Sequence, residues 1–384
     1  MCPDCENEMK NLGKRSKNIV SLLGEGTISR NYYGCECGCH KLPKDELLGI
    51  SDTSFTPGVR RVVSQLAACD SFEHSSKTLE DVGGIYVSSK DTERIAEMAG
   101  AKIEAEKAAQ IDEAFSLNDA QPSQPKTIPT MYIECDGTGV PVVKREVSGR
   151  KGKQEDSTAK TREVKLGCVF TQTAVNDKGE PVRDTNSTTY FGAIETSDEF
   201  SRRLYMEAQK RGVDSAKTVA VIGDGAKWIW GLANENFLHA IQIVDLYHAK
   251  EHLWLFIKTV TMDTKAQKSL KKKLFALLEK GNIKKLTSLM SKYITDDSDS
   301  QEDLQRQINY FTENAPRMRY DDFKQQGLFV GSGVIEAGCK NVVGKRLKQS
   351  GMHWTVKGAN SILALRCALL SNQFLPPLPA SKVA

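Results

Sequence analysis

Three carboxylates stand out for where they fall in the hydropathy pattern. Asp136 follows the apolar run MYIEC and opens DGTG, and Asp224 follows TVAVI inside GDG. Glu336 lies about one turn into a helix opened by Gly331-Ser332-Gly333. The short β-branched runs read as buried strands, so the first two acids each close a strand and the third begins a helix. The edge of an α/β sheet is where functional groups collect. Three separated carboxylates meeting there offer the oxygen ligands that hard Mg2+ (or Mn2+) takes. Two such ions about 3.5–4 Å apart activate an attacking oxygen and stabilise a leaving one in phosphoryl transfer. Taken singly, each acid also reads as a plain strand-end or cap residue. Asp245, closing the run Ala240 to Val244, is a rival to Asp224 as the second acid, and His248 follows three residues later. His248, Glu251 and His252 also match HxxEH, the inverted zinc-protease signature, with both histidines on one helix face. That reading leaves Asp136 and Glu336 without a role.

A second group suits a softer metal. Five of the ten cysteines (Cys2, Cys5, Cys35, Cys37 and Cys39) fall in the first forty residues, which in a cytosolic chain points to metal rather than disulfides. Cys2 and Cys5 form one CxxC knuckle. The stretch CECGCH supplies more ligands than one ion uses; Cys35 and Cys37 complete the expected tetrahedral, structural Zn2+ site. Reduced thiols in a frayed terminus are the plainer alternative. Between the knuckles, alternating residues around a GEG turn predict a hairpin.

Several elements must position these groups. With 39% hydrophobic and 27% charged residues, the 384-residue chain has the composition of a soluble protein with a real core. No apolar run approaches the roughly 20 residues of a membrane span, and no signal peptide is seen, so a cytoplasmic protein without membrane contact is expected. The expected organisation is a zinc-ribbon-like module over 1–50 and a helical, helix-turn-helix-like DNA-binding module over 51–115. A proline-rich linker over 116–130 follows. The α/β core would run over 131–250, a basic helical insertion over 251–328, the helix with the third acid over 329–370, and a tail over 371–384. The net charge of only +4 says little, so local charge carries the case for nucleic acid. Residues 250–292 hold eleven lysines against three acids, Lys271, Lys272 and Lys273 among them. Lys151 and Lys153 in a charged loop, and Lys345, Arg346 and Lys348 beyond Glu336, extend the set expected on a DNA backbone. A solvated helix face is the plainer reading of such runs.

The stretches YIECDGTGVP, GRKGKQED, TREVKLGCVFTQT, VIGDGAKWIW, IQIVDLYHAKEHLW and GSGVIEAGCKNVVGKRLKQSGMHW resemble DDE transposases of the ISKra-type insertion-sequence family, which is related to the Mutator-like transposases. The resemblance runs from Cys2 to about Cys367. It implies a ribonuclease-H-like α/β core with a helical insertion before the third acid, and catalytic residues at Asp136, Asp224 and Glu336 on two Mg2+ (or Mn2+) ions. Asp245 and His248 match the family's Asp-or-Cys, x, x, His signature and are expected beside the active centre. The implied activity is binding of terminal repeats, metal-dependent strand cleavage and strand transfer on double-stranded DNA, by a homodimer or larger assembly. The second knuckle departs from the CxxCG of relatives, which leaves its ligands open. A non-catalytic DNA-binding protein, an inactive or truncated copy and an HxxEH protease are the competing readings.

Overall fold

The computed structural model describes residues 1–117, 128–152, 158–294 and 301–374. Lys153, most of the expected linker and the end of the tail lie outside the described residues. The chain divides into two compact units, Met1–Glu106 with Lys357–Ala384, and Lys107–Val356.

In the first unit, β1 (Lys10–Ser21) and β2 (Gly24–Gly34) form an antiparallel hairpin, with β3 (His40–Lys41) on the other side of β2. The turn is Leu22-Leu23 rather than GEG, since Ser21 pairs with Gly24 and the Gly-Glu-Gly segment lies inside β2. Gly24 makes the turn by adopting φ +104°, and the Ser21 hydroxyl bonds its carbonyl at 2.9 Å. Helix α1 (Pro43–Leu48) is tied to the hairpin by a buried pair, Arg30 Nη1 to Asp45 Oδ2 at 2.5 Å.

Three helices follow: α2 (Pro57–Cys69), α3 (Phe72–Gly83) and α4 (Ser89–Leu117). Val59, Val63, Leu79, Ile85, Val87 and Ile95 form their shared core. Ser71 caps α3 through the His74 N–H, and Gly84 ends it at φ +63°.

The second unit is built on a five-stranded sheet of order β10-β9-β4-β5-β8. Its members are β4 (Ile128–Pro141), β5 (Thr161–Gln172), β8 (Thr189–Ala193), β9 (Ala216–Gly223) and β10 (Ile241–Val244), and β6 (Ala174–Val175) and β7 (Pro181–Val182) make a separate small hairpin. β5 is antiparallel to both of its neighbours, β4 and β8, whereas β9 runs parallel to β4 and β10 parallel to β9. Parallel strands need crossovers. These are α5 (Ser197–Lys210), started by a Thr196–Glu199 capping box, and α6 (Lys227–Asn236).

Beyond β10 come α7 (Leu246–Val260), α8 (Thr264–Glu279), α9 (Ile283–Ser291), α10 (Gln301–Asn314) and α11 (Tyr320–Gln325). The chain then returns through α12 (Gly333–Gly338), a π-helical turn at Cys339–Gly344, and α13 (Lys345–Leu347). The last helix, α14 (Val356–Leu370), clusters from Lys357 onward with the first unit, whereas the sequence reading carried the core to 370. A Cβ on Gly100 of α4 would fall 2.0 Å from the Ser361 carbonyl oxygen, so the backbones of α4 and α14 meet where only glycine fits.

Candidate active site

Side chains on a strand alternate between faces, so Tyr132, Glu134 and Asp136 share one face of β4. The segment from Phe329 to Cys339 runs along that face in step. Phe329 N–H donates to the Tyr132 hydroxyl at 3.2 Å, Ile335 N–H to Glu134 Oε2 at 2.8 Å, and Cys339 Sγ to Asp136 Oδ2 at 3.2 Å. Tyr132 is held for this by Gln172 Oε1 at 2.5 Å and by stacking on Phe170. The third-acid helix is thereby laid against the strand that carries the first acid.

Asp136 does not end its strand. β4 stays paired with β5 as far as Pro141 with Thr161, but its parallel pairing with β9 stops at Glu134 with Ile222. Asp136 therefore sits where β4 loses one neighbour, and two residues beyond Ile222 the chain reaches Asp224 at the same level. Asp224 Oδ1 accepts the Ala226 N–H at 2.8 Å, and its carbonyl accepts the Tyr310 hydroxyl at 2.8 Å. Burial raises the pKa of Asp136; hydrogen bonds from Cys339 and the Gly137 N–H oppose this, the Asp224 charge adds to it and His248 opposes it. The two aspartates thus lie within electrostatic reach of each other.

Glu336 is exposed, and its Oε1 lies 3.2 Å from Ser332 Oγ. Asp136 and Asp224 are half-buried. All three acids are oxygen donors that keep lone pairs in hand, as a hard divalent cation requires. The three do not lie within 4.8 Å of one another: among the described residues, the groups of three or more ligands that close are made by the N-terminal cysteines and Asp4.

Asp245 is different. It is fully buried, caps α7 through the His248 N–H at 2.7 Å, and receives both the backbone N–H and the hydroxyl of Ser332. Three donors use its oxygens, whereas Asp224 is half-buried and its carboxylate takes the Ala226 N–H. Of the HxxEH residues, His248 Nδ1 lies 3.5 Å from Glu251 Oε2. His252 is stacked on Tyr310 at 3.8 Å, with Nδ1 2.6 Å from Gln307 Oε1. Burial holds its pKa below the ordinary range. α10 thus holds His252 against a tyrosine face, its ring 4.9 Å from that of His248, and among the described residues these two histidines belong to no group of three or more close metal-ligating side chains.

The expected DNA-contacting residues separate. Lys271, Lys272 and Lys273 are exposed on α8, with Lys271 Nζ 5.1 Å from the Trp254 ring. Lys345 and Lys348 are exposed beyond α12, and Lys348 Nζ reaches Thr138 Oγ1 at 2.5 Å, next to Asp136 on β4. Lys151 is exposed and bridges to Thr158. Arg346 must be withdrawn from this set: it is 0% exposed and its guanidinium lies over the Trp354 ring at 5.1 Å. The helical turns after Glu336 point this position into the core.

In the first unit, Cys2, Cys5, Cys35 and Cys37 bring their sulfurs within 4.8 Å of one another. Cys2 Sγ lies 3.5 Å from Cys37 Sγ and Cys5 Sγ 3.4 Å from Cys35 Sγ, with no disulfide formed. A tetrahedron of thiolates at about 2.3 Å from zinc has edges of roughly 3.8 Å, so the cluster could bind zinc. Cys39 instead joins Cys2 and Asp4 in a second grouping.

Sequence reasoning passed over Glu134, Ser332 and Tyr310. Glu134 was within reach, since it stands two positions before Asp136 on a strand and so on the same face. It is 0% exposed, and burial pushes its carboxyl up to about 8, with the Ile335 N–H opposing and the Asp245 and Glu336 charges reinforcing. Tyr310 reaches Asp224 across 86 residues of sequence, a pairing no local pattern announces.

Residues 8–373 match the uncharacterised protein family UPF0236. The UPF0236 protein in the vanSb 3'region of Streptococcus gallolyticus is 24% identical over 370 residues, covering 94% of this chain and 74% of that protein. Among solved structures, the Drosophila P element transposase strand transfer complex is similar over 81% of this chain and 91% of that one, at 8% identity and a TM-score of 0.35. A superposition that loose fixes neither fold nor function. Among the described residues, no helix is long and apolar enough to cross a membrane.

Proposed function

This chain belongs to the UPF0236 family, and we propose that it is a DNA transposase of the DDE type, similar to the ISKra-type enzymes, built on a ribonuclease-H-like core. The observation that carries the proposal is the placement of Asp136 on β4, two residues past its last pairing with β9, and of Asp224 two residues past the same pair, just beyond the end of β9, with Glu336 on a helix bonded along the same β4. The strand order, three antiparallel strands followed by two parallel ones around a central β4, supports the core assignment.

Asp136, Asp224 and Glu336 would hold two Mg2+ (or Mn2+) ions. Such ions supply activation of the attacking oxygen and charge stabilisation of the leaving one. The chain's own residues do the rest. Tyr310 holds the Asp224 loop, Cys339 orients Asp136, and Asp245 and His248 start the helix beside them. Lys151, Lys345 and Lys348 neutralise backbone phosphates near the site, and Lys271 to Lys273 extend that grip along α8. The N-terminal module, with structural Zn2+ on Cys2, Cys5, Cys35 and Cys37, and the helical module with α2 to α4 would recognise terminal repeats. Joining two ends calls for a homodimer or larger assembly, in the cytoplasm on the nucleoid. The intact acids favour this reading over a non-catalytic DNA-binding protein.

The test is incubation of the full chain with labelled duplexes taken from the DNA flanking its own coding sequence, with Mg2+ or Mn2+. Strand cleavage that EDTA abolishes is expected. Binding without cleavage would transfer the protein to the non-catalytic class.

A further inference from the structure

The helix that carries Glu336 does not receive the cap its own sequence offers. A serine at the N-cap ordinarily turns its oxygen toward the free N–H groups of the first turn. Ser332 holds that position and makes no such bond. Its Oγ lies instead 2.5 Å from Asp245 Oδ2 and 3.2 Å from Glu336 Oε1. The backbone donors go to acids on other elements. Asp245 Oδ2 accepts the Ser332 N–H, and Glu134 Oε2 accepts the Ile335 N–H at 2.8 Å. Both acids are 0% exposed. Glu134 belongs to β4, two residues from Asp136, and Asp245 joins β10 to α7.

We infer that Glu134 and Asp245 are positioning residues, a two-carboxylate clamp that fixes α12, and with it Glu336, against the strand bearing Asp136. Neither touches substrate. The functional consequence rests on the proposed transposase reading; the clamp itself does not.

The two acids differ in a way that makes the idea testable. Asp245 uses both oxygens as acceptors, Oδ1 for the His248 N–H and Oδ2 for Ser332. An amide has one acceptor oxygen, so Asp245→Asn must set its NH2 against an N–H at one end. Glu134 uses Oε2, while Oε1 has no hydrogen-bond partner among the described residues. Glu134→Gln can keep the Ile335 bond and place its NH2 where Oε1 was. The asparagine gives up either Ser332, which opens the clamp directly, or His248, which frees the anchor holding the clamp to α7, whereas the glutamine preserves every bond.

The experiment compares full-length wild type, Glu134→Gln, Glu134→Ala and Asp245→Asn. Amide hydrogen exchange over residues 330–338 and at His248 reads the clamp, and Mn2+ binding by calorimetry or paramagnetic resonance reads its consequence. Glu134→Gln should match wild type in both. Glu134→Ala and Asp245→Asn should lose protection and bind Mn2+ about 10- to 100-fold more weakly, the usual effect of losing a residue that orients a ligand. Should Glu134→Ala fail to fold, the two isosteres still decide. Wild-type exchange at both Ser332 and His248 in Asp245→Asn, or at Ile335 in Glu134→Ala, would overturn the clamp. Lost protection with unchanged Mn2+ affinity would overturn its role in positioning Glu336. A wild-type chain that neither binds Mn2+ nor cuts DNA would overturn the transposase reading, and the exchange result would then decide the clamp by itself.

Discussion

Gly225→Ala is expected to damage the second unit from a single methyl group. Gly225 follows Asp224 at φ +106°, a conformation that L side chains resist. Strain of that kind costs about 1–3 kcal/mol. A Cβ would also fall 2.6 Å from Tyr310 Cε2. Tyr310 is poorly placed to yield, because its hydroxyl donates to the Asp224 carbonyl at 2.8 Å and its ring lies on His252 at 3.8 Å. Overpacking at such a contact adds about 1–3 kcal/mol. The total, roughly 2–6 kcal/mol, is a large share of an ordinary stability of about 5–15 kcal/mol. Tyr310→Phe, which loses only the hydrogen bond, should cost about 0.5–1.5 kcal/mol. Urea unfolding followed by tryptophan fluorescence measures both, since Trp228, Trp230, Trp254 and Trp354 all lie within residues 107–356. Combining Gly225→Ala with Tyr310→Ala should cost less than the two separately, because the clash disappears while the strain stays. A Gly225→Ala protein within about 0.5 kcal/mol of wild type would refute the reasoning.

Other expectations concern metal, charge and pH. Chelation of the purified chain should release about one zinc, with Cys5→Ser abolishing it and Cys39→Ser leaving it; zinc-free protein would remove the site. Reversing the charge of Lys271, Lys272 and Lys273 should weaken DNA binding and flatten its salt dependence. Arg346→Ala, at a buried site, should lower stability and leave the salt slope alone; the opposite pattern would return Arg346 to the DNA surface. His252, held by burial below its ordinary pKa, favours the neutral ring. Its stabilising contribution is full above about pH 6.5 and is lost as pH falls through the folded value. His252→Gln should therefore flatten the stability decline below that pH, and an unaltered slope would contradict the assignment.

Much of this architecture was legible because it follows local patterns. The β-branched runs before Asp136 and Asp224 became β4 and β9, and the Gly-Ser-Gly before Glu336 became the start of α12. The CxxC of Cys2 and Cys5 pointed to a cluster whose sulfurs do converge. What stayed hidden depends on neighbours distant in sequence. That Asp136 lies inside a longer strand is decided by β5 continuing alongside it after β9 has ended. Arg346 looks like a member of a basic series until α12, the π-helical turn and α13 set its phase inward. Glu134 would ordinarily pass as the polar member of an alternating strand; only the segment lying over that face buries it and gives it the Ile335 N–H.

The central claim, that Asp136, Asp224 and Glu336 form one metal-dependent cleavage site, is tested most directly by Asp136→Asn, Asp224→Asn and Glu336→Gln. Each variant would be assayed for cleavage and for binding of the same duplex in Mg2+ or Mn2+. Loss of cleavage in all three, with duplex binding close to wild type, is the predicted result. A variant that still cuts at the wild-type rate would expel that residue from the site and contradict the account.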